Sequence, residues 1–308
     1  MALRVTFLGN DPWSVASLEA VAASPHDPAL VVTREPRPAG RGGRLRPTAV
    51  AGAARRLDLP LREVVTVKRG EGFEALAGSS PDVLVVVAYG EILPAAVLEI
   101  PRLAPVNVHF SLLPVLRGAD PVRRAILEGL ASTGVTIMRM DEGMDTGPIL
   151  RQAEEPIRPD DDAGSLGERL AALGGRTLVE TLNLLETGRA EERAQDHEAA
   201  TLAPKIPREE EWVDWSDDAR AIVRRIRALG PDPGARTRFR GRVLKVFRAR
   251  AVDGSGPAGT ILGAGEGLAV AAGAGAVELE EVLPEGKRRM RGAEFVRGYR
   301  PEPGEALA

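Results

Sequence analysis

Short apolar runs alternate with amphipathic segments over the first two-thirds of the chain, and this alternation restricts the possible folds most strongly. Residues 83–88 are apolar on both faces of an extended chain, which is typical of a central strand in a parallel sheet. Similar runs predict strands at residues 5–8, 30–32, 106–108 and 134–140. Helical patterns lie between them at residues 15–23, 49–57 and 121–130. This order of elements indicates an α/β domain with a mostly parallel sheet.

A long helix and a polar segment separate this region from the rest of the chain. Leucines at helical spacing predict a helix over residues 166–186, with Ser165 as N-cap and Glu168 completing a capping box. Residues 187–207 are polar and aperiodic, which predicts a linker. Beyond it, we expect a helix at residues 216–229 with Ser216 as its N-cap. Short strand-like runs then predict a small β-barrel, at residues 243–246, 259–262, 268–271 and 277–282.

Composition excludes several classes of chemistry. Cysteine is absent from the 308 residues, so disulfides, thiolate metal sites and a cysteine nucleophile are ruled out. Because the chain has three histidines, we expect neither a histidine-rich metal centre nor any other metal. Apolar stretches are too short to cross a membrane, and the N-terminal residues lack the zones of a signal peptide. We therefore expect a cytoplasmic protein without a membrane partner.

The net charge of −3 averages two regions of opposite sign. Residues 1–204 carry a net charge of −6, and residues 205–308 carry a net charge of +3. Within the second region, residues 220–250 contain eleven basic residues and one acid. A further basic group occupies the Pro- and Gly-rich residues 36–47, for which we expect neither helix nor strand but an exposed loop.

Two polar side chains stand at alternate positions near the carboxyl end of one predicted strand. Asn107 and His109 are two residues apart, so they project to the same face. Open α/β sheets bind their ligands at this edge. The pattern favours a site that combines an amide with an imidazole, although a polar pair that only holds a loop would have the same spacing.

Three carboxylates lie within five positions after the strand predicted at residues 134–140. Asp141, Glu142 and Asp145 could form a solvated acidic turn or bind a metal, but the ligand spacing of a calcium loop is absent. Alternatively, one carboxylate orients the imidazole of His109. An asparagine that donates to an oxyanion, together with His and Asp, suits acyl transfer to a neutral nitrogen. The G-x-S-x-G motif of a serine nucleophile is missing, so the acyl group would pass directly to its acceptor.

Two blocks of sequence resemble the signature of folate-dependent formyltransferases in residue type and spacing. The first block is Asn107-x-His109-x-Ser111-Leu112-Leu113-Pro114-x-x-Arg117-Gly118. The second block is Gly134-Val135-Thr136-x-Met138-x-Met140-Asp141-x-Gly143-Met144-Asp145-Thr146-Gly147. Residues 86–94 resemble the folate-contacting segment of the same family.

Three further features resemble the members of this family that act on initiator methionyl-tRNA. They are the arginine-rich residues 37–45, the segments Ala203-Pro204-Lys205-Ile206 and Asp214-Trp215-Ser216, and residues 284–290. The resemblance covers nearly the whole chain. It implies 10-formyltetrahydrofolate as the formyl donor and initiator methionyl-tRNA as the acceptor, and we expect no DNA partner.

The resemblance also implies a fold and a set of site residues. We expect a Rossmann-like formyltransferase domain at residues 1–189, a linker at residues 190–206 and an OB-like tRNA-binding β-barrel at residues 207–308. The implied catalytic residues are Asn107, His109 and Asp145. The implied folate-binding residues are Tyr89, Gly90, Ile92, Leu93, Ser111, Leu112, Leu113, Pro114, Asp141 and Glu142. The implied tRNA-binding residues are Arg37, Arg41, Arg44, Arg46, Lys205, Arg224, Arg227 and Lys245.

Three other functions are compatible with parts of this pattern. A formyltransferase that acts on glycinamide ribonucleotide or on an amino sugar would share the same three catalytic residues. A tRNA-binding protein without catalytic activity could use the same scaffold. A nicotinamide-dependent oxidoreductase is disfavoured, because the turn at residues 9–14 lacks the G-x-G-x-x-G pattern of a dinucleotide site.

Overall fold

The computed structural model describes residues 2–39, 43–264 and 267–308, which divide into two structural units. In chain order, the strands are β1 (Arg4–Gly9), β2 (Asp27–Arg34), β3 (Arg37–Ala39), β4 (Arg44–Arg46), β5 (Leu61–Val64), β6 (Val83–Val87), β7 (Ala104–His109), β8 (Ser132–Arg139), β9 (Ile149–Pro156), β10 (Ala235–Phe239), β11 (Arg242–Val252), β12 (Ile261–Ala264), β13 (Leu268–Ala271), β14 (Ala276–Pro284) and β15 (Met290–Arg291). The α-helices are α1 (Ser14–Ala22), α2 (Ala49–Arg56), α3 (Gly70–Ser79), α4 (Ala95–Leu98), α5 (Pro121–Leu127), α6 (Ala163–Glu186), α7 (Ala219–Leu229) and α8 (Gly292–Tyr299).

The first unit comprises Met1–Pro121, Ser132–Pro156 and Gly167–Ala203, and it is built on a seven-stranded sheet. The strand order is β5-β2-β1-β6-β7-β8-β9. The strands from β5 to β7 pair in parallel, whereas β8 and β9 add antiparallel pairs. All residues of β6 are buried, as its apolar sequence predicts. The expected mostly parallel, Rossmann-like sheet is therefore confirmed.

Helices cover both faces of this sheet. On one face, Leu76 of α3 packs in a core cluster with Leu84 and Val86 of β6. On the other face, a Cβ added to Gly174 of α6 would lie 3.0 Å from a side-chain atom of Val108, so α6 approaches β7 closely. Removing these apolar side chains from water is the main stabilising contribution to such a layered arrangement.

The carboxyl ends of β1, β6 and β7 lie side by side at one edge of the sheet. From β1 the chain continues to β2 and β5 on one side of the sheet, whereas β6 and β7 follow on the other side. Open α/β sheets have a crevice at the point where the strand order reverses in this way, and ligands bind there. The topology therefore predicts a ligand site between the ends of β1 and β6.

The prediction that residues 36–47 contain no strand is wrong. Strands β3 and β4 pair there in an antiparallel hairpin, with Arg37 opposite Arg46 and Pro38 opposite Leu45. Each strand of a two-stranded ribbon has one free edge, so Pro38 fits although it has no N–H to donate. The predicted exposure is confirmed for Arg37 and for all of β4. We call β3 and β4 the arginine hairpin; Arg41 lies outside the described residues.

The long helix α6 begins three residues earlier than its sequence predicts, at Ala163. The Ser165 N–H donates to Asp162 Oδ1 at 2.8 Å, and the Asp162 N–H donates to Ser165 Oγ at 3.1 Å. This reciprocal pair is a capping arrangement with Asp162 in the N-cap position. The prediction of Ser165 as the N-cap is therefore wrong, because the carboxylate upstream of it takes that position.

In contrast to α6, helix α7 begins later than expected, at Ala219 instead of residue 216. Its N-cap is Asp218, whose side chain accepts hydrogen bonds from the backbone N–H groups of Arg220 and Ala221. The predicted cap, Ser216, donates instead from Oγ to Asp214 Oδ1 at 2.6 Å. A carboxylate at the N-cap satisfies the free N–H groups and interacts favourably with the helix dipole, which explains the difference.

The second unit contains an antiparallel sheet with the order β10-β11-β14-β13-β12, and β15 pairs with β14. Its core includes Leu244, Val246, Leu268, Val277, Leu279 and Phe295. Backbone bridges join Leu307 to Phe239 of β10, and Ala306 to Thr260 beside β12. One short segment thus connects both end strands of the sheet, in agreement with the expected OB-like barrel.

Two short segments that precede α7 in the chain also belong to the second unit. They are Val122–Ala131 and Ile157–Leu166, which join Pro204–Ala308. Arg224 and Arg227 of α7 donate to backbone carbonyls of these segments. The domain limits expected from the sequence, at residues 1–189, 190–206 and 207–308, assign both segments to the first domain and stay a prediction.

Asp82, the residue before β6, accepts a hydrogen bond from β1, and its contribution to stability can be measured. Its Oδ2 accepts the Arg4 N–H at 2.9 Å, which lowers the carboxyl pKa below the ordinary value of 3.8. Because the folded-state pKa lies below the unfolded-state value, the carboxylate stabilises the fold above about pH 4 and loses this effect as the pH falls through the folded-state pKa. We expect Asp82→Asn to lower the free energy of unfolding at pH 7 by about 1 kcal/mol.

Urea unfolding at pH 7, 5 and 3.5 measures this difference between the wild type and Asp82→Asn. The gap should be constant between pH 7 and pH 5 and smaller at pH 3.5. A gap that is the same at all three pH values would show that the charge on Asp82 does not contribute to stability.

Candidate active site

Strand β7 brings two polar side chains to the carboxyl edge of the first sheet. Asn107 is half-buried and His109 is 5% exposed. Val108, between them, is buried on the opposite face. The alternation of side chains along a strand therefore places the amide and the imidazole on the same face, as the sequence predicts.

Asp145, in the loop between β8 and β9, lies against both of these side chains. Its Oδ1 accepts from Asn107 Nδ2 at 3.3 Å, and its Oδ2 accepts from the Gly118 N–H at 2.8 Å. Its Oδ2 also lies 3.7 Å from His109 Nδ1. The structure thus brings together Asn107, His109 and Asp145, the three residues that the resemblance implies as catalytic.

The second nitrogen of His109 fixes the orientation of the ring. His109 Nε2 lies 2.9 Å from the carbonyl oxygen of Leu116, which can only accept a hydrogen bond. Nε2 therefore carries a proton, and Nδ1, which faces Asp145, is the nitrogen that can gain or lose one. On a protonated ring, the Nδ1–H group faces the Asp145 carboxylate.

The other two carboxylates of this loop are placed differently. Asp141 Oδ1 accepts from the Gly143 N–H at 3.0 Å and from Thr146 Oγ1 at 2.7 Å, which closes a turn. Glu142 is exposed. Among the described residues there is no group of His, Asp and Glu side chains that could hold a metal ion.

The segment after β6 contains the first group of residues expected to bind folate. Tyr89 and Leu93 are buried, Gly90 is exposed with a φ of 79°, and Ile92 is 74% exposed. Burial raises the pKa of the Tyr89 phenol above its ordinary value of 10.0, and the Glu91 carboxylate adds to this effect. The buried Tyr89 hydroxyl has no hydrogen-bond partner within the described residues. A polar ligand group could supply that partner.

The segment after β7 contains the second group, residues 111–114. Ser111 Oγ donates to the Val115 carbonyl at 2.6 Å, and the Leu113 N–H donates to Thr136 Oγ1 at 3.0 Å. The Leu113 carbonyl accepts from Gln152 Nε2 at 2.8 Å. These bonds hold Leu112 and Pro114 in a fixed loop beside the strand end.

Exposed apolar side chains accompany these segments. Ile92 is 74% exposed and Met144, in the loop that carries Asp145, is 54% exposed. Large apolar side chains in contact with water at a ligand site are suited to cover an apolar ring system. Ile92 and Met144 are therefore candidates for contact with the apolar rings of a folate.

A cavity of about 370 Å³ lies between the first β–α turn, the arginine hairpin and the segment after β6. Its lining includes Asn10, Arg34, Arg37, Arg46, Thr48 and Tyr89. Arg34 Nη2 donates to the Gly90 carbonyl at 3.0 Å. The hairpin base and the expected folate segment therefore share one cavity in the first unit.

The remaining basic residues predicted to bind tRNA lie in the second unit. Lys205 is exposed, and Lys245 Nζ donates to the Pro233 carbonyl at 2.8 Å. Arg224 Nε donates to the Leu127 carbonyl at 3.3 Å.

Arg227 is the most constrained of these basic residues. It donates to the Asp161 carbonyl at 2.5 Å and to the Arg158 carbonyl at 2.7 Å. Burial lowers the pKa of its guanidinium. These contacts give Arg224 and Arg227 a role within the second unit, and their predicted contact with tRNA stays a prediction.

The sequence interpretation missed one residue of the site. Gln195, 6% exposed, lies in the segment predicted as a linker and contacts the loop that carries Asp145. Arg117, also 6% exposed, donates hydrogen bonds to Gln195. Arg117 belongs to the first block that resembles the formyltransferase signature, but no role in the site was predicted for it. A single buried amide in an aperiodic polar segment leaves no pattern, so its role could not be predicted.

In the part of the chain that the structure describes, no helix has both the length and the apolar character needed to cross a membrane.

The chain matches two family models over most of its length. They are Formyl transferase, over residues 3–182, and Formyl transferase, C-terminal domain, over residues 205–300. The boundary between the two matches falls in the polar segment before α7.

A solved structure with a similar fold is that of HypX from Aquifex aeolicus in complex with tetrahydrofolic acid. It matches 99% of this chain with a TM-score of 0.68 at 18% identity. This chain spans 49% of the length of HypX. At this level of identity, the similarity shows a shared fold.

Two relatives are similar over their whole length. A methionyl-tRNA formyltransferase of Aromatoleum aromaticum is 44% identical over 98% of this chain and 96% of its own. A methionyl-tRNA formyltransferase of Roseiflexus castenholzii is 46% identical over 100% of this chain and 99% of its own. Since both family models match as well, the chain belongs to the formyl transferase family and, within it, to the methionyl-tRNA formyltransferases.

Proposed function

We propose that this enzyme transfers the formyl group of 10-formyltetrahydrofolate to the α-amino group of initiator methionyl-tRNA. The observation that carries the proposal is the contact of Asp145 with both Asn107 and His109 at the carboxyl edge of the sheet. Family membership and full-length relatives that carry this name support the acceptor. A cytoplasmic location, without a membrane or DNA partner, is part of the same proposal.

The reaction needs one bond to form, one to break and one proton to move. The donor supplies the formyl group: the amine nitrogen bonds to the formyl carbon, the bond from that carbon to the folate nitrogen breaks, and the proton that the amine loses is delivered to that folate nitrogen. Negative charge grows on the formyl oxygen during the attack. Asn107 has a second amide N–H besides the one that binds Asp145, and this N–H can donate to that oxygen.

His109 and Asp145 provide the route for the proton. Since Nε2 of His109 is held by the Leu116 carbonyl, proton transfer uses Nδ1. The Leu116 carbonyl orients the neutral ring, and Asp145, 3.7 Å from Nδ1, stabilises the ring when it is charged. Groups of this kind each contribute roughly two to four orders of magnitude in rate.

We assign the folate donor to the loops around Asn107, His109 and Asp145. The assigned residues are Tyr89, Gly90, Ile92 and Leu93, residues 111–114, and Asp141 and Glu142. The unpartnered Tyr89 hydroxyl and the exposed Ile92 side chain support this assignment. Rigid loops beside the strand ends would hold the donor in one position for attack.

The acceptor tRNA is assigned to basic groups of both units. In the first unit, the arginine hairpin supplies Arg37, Arg44 and Arg46, and Arg41 belongs to the same run of sequence. In the second unit, we assign phosphate contacts to Lys205, Arg224, Arg227 and Lys245. Neutralising several phosphates makes the affinity for tRNA depend on salt.

One experiment tests the proposed acceptor. Purified protein is incubated with 10-formyltetrahydrofolate and methionine-charged initiator tRNA, with glycinamide ribonucleotide and a nucleotide-linked amino sugar as competing acceptors. We expect formyl-methionyl-tRNA as the product. Formylation of either competitor, with unmodified tRNA, would contradict the assignment of the acceptor; no formylation at all would contradict the proposed activity.

A further inference from the structure

The backbone of Asp145 is held in an unfavourable conformation. Its φ is 56°, in the left-handed region that residues other than glycine adopt at a cost of about 1 kcal/mol or more. This conformation turns the carboxylate toward Asn107 and His109. Contacts from other parts of the chain can offset this cost and keep the loop in place.

Gln195 provides these contacts from a distant part of the chain. Its Nε2 donates to the Asp145 carbonyl at 2.9 Å and to the Gly147 carbonyl at 2.7 Å. Its Oε1 accepts from Arg117 Nε at 3.1 Å and from Arg117 Nη2 at 2.6 Å. The amide thus uses both donors and both acceptor positions, and its orientation is fixed because only N–H groups can face the two carbonyls.

Arg117 completes a closed ring of hydrogen bonds around Asp145. Its guanidinium binds Gln195, which binds the Asp145 main chain. The next residue, Gly118, donates its N–H to the Asp145 carboxylate at 2.8 Å. Both the backbone and the side chain of Asp145 are therefore fixed by two adjacent residues, one of them acting through Gln195.

The neighbours of this ring add to its rigidity. Arg117 and Gln195 are each 6% exposed, so water competes little for their hydrogen bonds. Arg117 Nη2 also lies 3.1 Å from His197 Nδ1, and the Arg117 backbone pairs with Thr201 and Ala203. The segment predicted as a linker is thus part of the site.

We infer that Gln195 is a positioning residue, which holds the main chain of Asp145 so that its carboxylate reaches His109 and Asn107. The inference rests on the proposed formyl transfer and deepens it. Gln195 acts through Asp145 and does not touch the reacting atoms. Its effect should therefore appear in turnover and disappear when Asp145 itself is removed.

The variant Gln195→Glu isolates the two N–H donors. It keeps the shape of the side chain and its contact with Arg117, but it faces two carbonyl oxygens with a carboxylate. We expect kcat to fall about 10- to 100-fold, because a small displacement of a catalytic group has an effect of this size. KM for the folate and for the tRNA should change less than about threefold, since neither substrate is assigned to Gln195.

A double-mutant cycle separates positioning from general stability. In the Asp145→Ala background, Gln195→Glu should cause no further loss of kcat. The control Thr181→Val removes a buried hydrogen bond within α6 at 2.8 Å, far from the loop in sequence, and should lower Tm without lowering kcat. Equal losses from Gln195→Glu in both backgrounds, or unchanged kcat in the single variant, would overturn the inference.

A structural readout keeps the test independent of the proposed activity. Hydrogen exchange of the Gly118 amide reports directly on its bond to the Asp145 carboxylate. We expect faster exchange in Gln195→Glu and unchanged exchange in Thr181→Val. If the wild type formylates no tRNA, the proposed function fails while this measurement still decides the positioning role: unchanged exchange in Gln195→Glu would overturn it.

Discussion

Replacing Asp145 with asparagine should lower kcat for formylation of methionyl-tRNA by roughly two to four orders of magnitude. The substitution keeps the size of the side chain and an oxygen that can accept the Gly118 N–H, but it removes the negative charge 3.7 Å from His109 Nδ1 and replaces the oxygen that accepts from Asn107 Nδ2. A charged imidazole would then lose its stabilising partner. KM for both substrates should stay nearly constant, because the charge acts during the reaction and not during binding. Single-turnover rates with saturating substrates measure the effect.

The matched control for this substitution is Glu154→Gln. Glu154 is an exposed residue of β9 in the same unit, and the change removes one negative charge in the same way. It should leave turnover unaffected. Near-wild-type turnover of Asp145→Asn, or an equal loss in the control, would refute the role given to Asp145.

Reversing the charge of Arg44 should lower kcat/KM for tRNA at least about tenfold if this residue contacts phosphates as proposed, because glutamate would repel them. Arg44 is an exposed residue of the arginine hairpin. The slope of log(kcat/KM) against log salt should become shallower by about one unit for each phosphate that is no longer neutralised. KM for the folate should stay nearly constant. Steady-state kinetics of Arg44→Glu over a range of salt concentrations measure all three quantities.

Arg62→Glu controls for the change in net charge. Arg62 is an exposed residue of β5, the edge strand of the first sheet, and its reversal alters the total charge by the same amount. We expect a small effect on tRNA use. If Arg62→Glu is as harmful as Arg44→Glu, the effect comes from the total charge; if Arg44→Glu loses folate and tRNA use equally, the variant is misfolded.

Much of the fold could be predicted because buried strands and amphipathic helices leave periodic patterns. The apolar run that forms β6 is buried at every position, and the strands predicted in the second unit agree with the sheet that contains β11 to β14. The helix starts were less predictable. Asp162 and Asp218 cap α6 and α7 in place of the predicted serines, because several polar residues in a row could take that position.

The arginine hairpin was not predicted, since proline and glycine are typical of loops and a two-stranded ribbon tolerates both. The pair of Asn107 and His109 followed from strand alternation alone. The position of Asp145 did not, because it depends on a left-handed backbone conformation and on contacts with Gly118 and Gln195. Such contacts between distant parts of a chain have no local signal in a single sequence.

The make-up of the second unit has a consequence for how this family can evolve. The unit is assembled from three separate stretches of chain, Val122–Ala131, Ile157–Leu166 and Pro204–Ala308. Arginines of α7 bind carbonyls in the two shorter stretches. A recombination event that exchanged only the C-terminal stretch would leave the two shorter ones with partners from another lineage. The C-terminal stretch is therefore expected to be inherited together with the rest of the chain, and compensating substitutions should be shared across all three stretches.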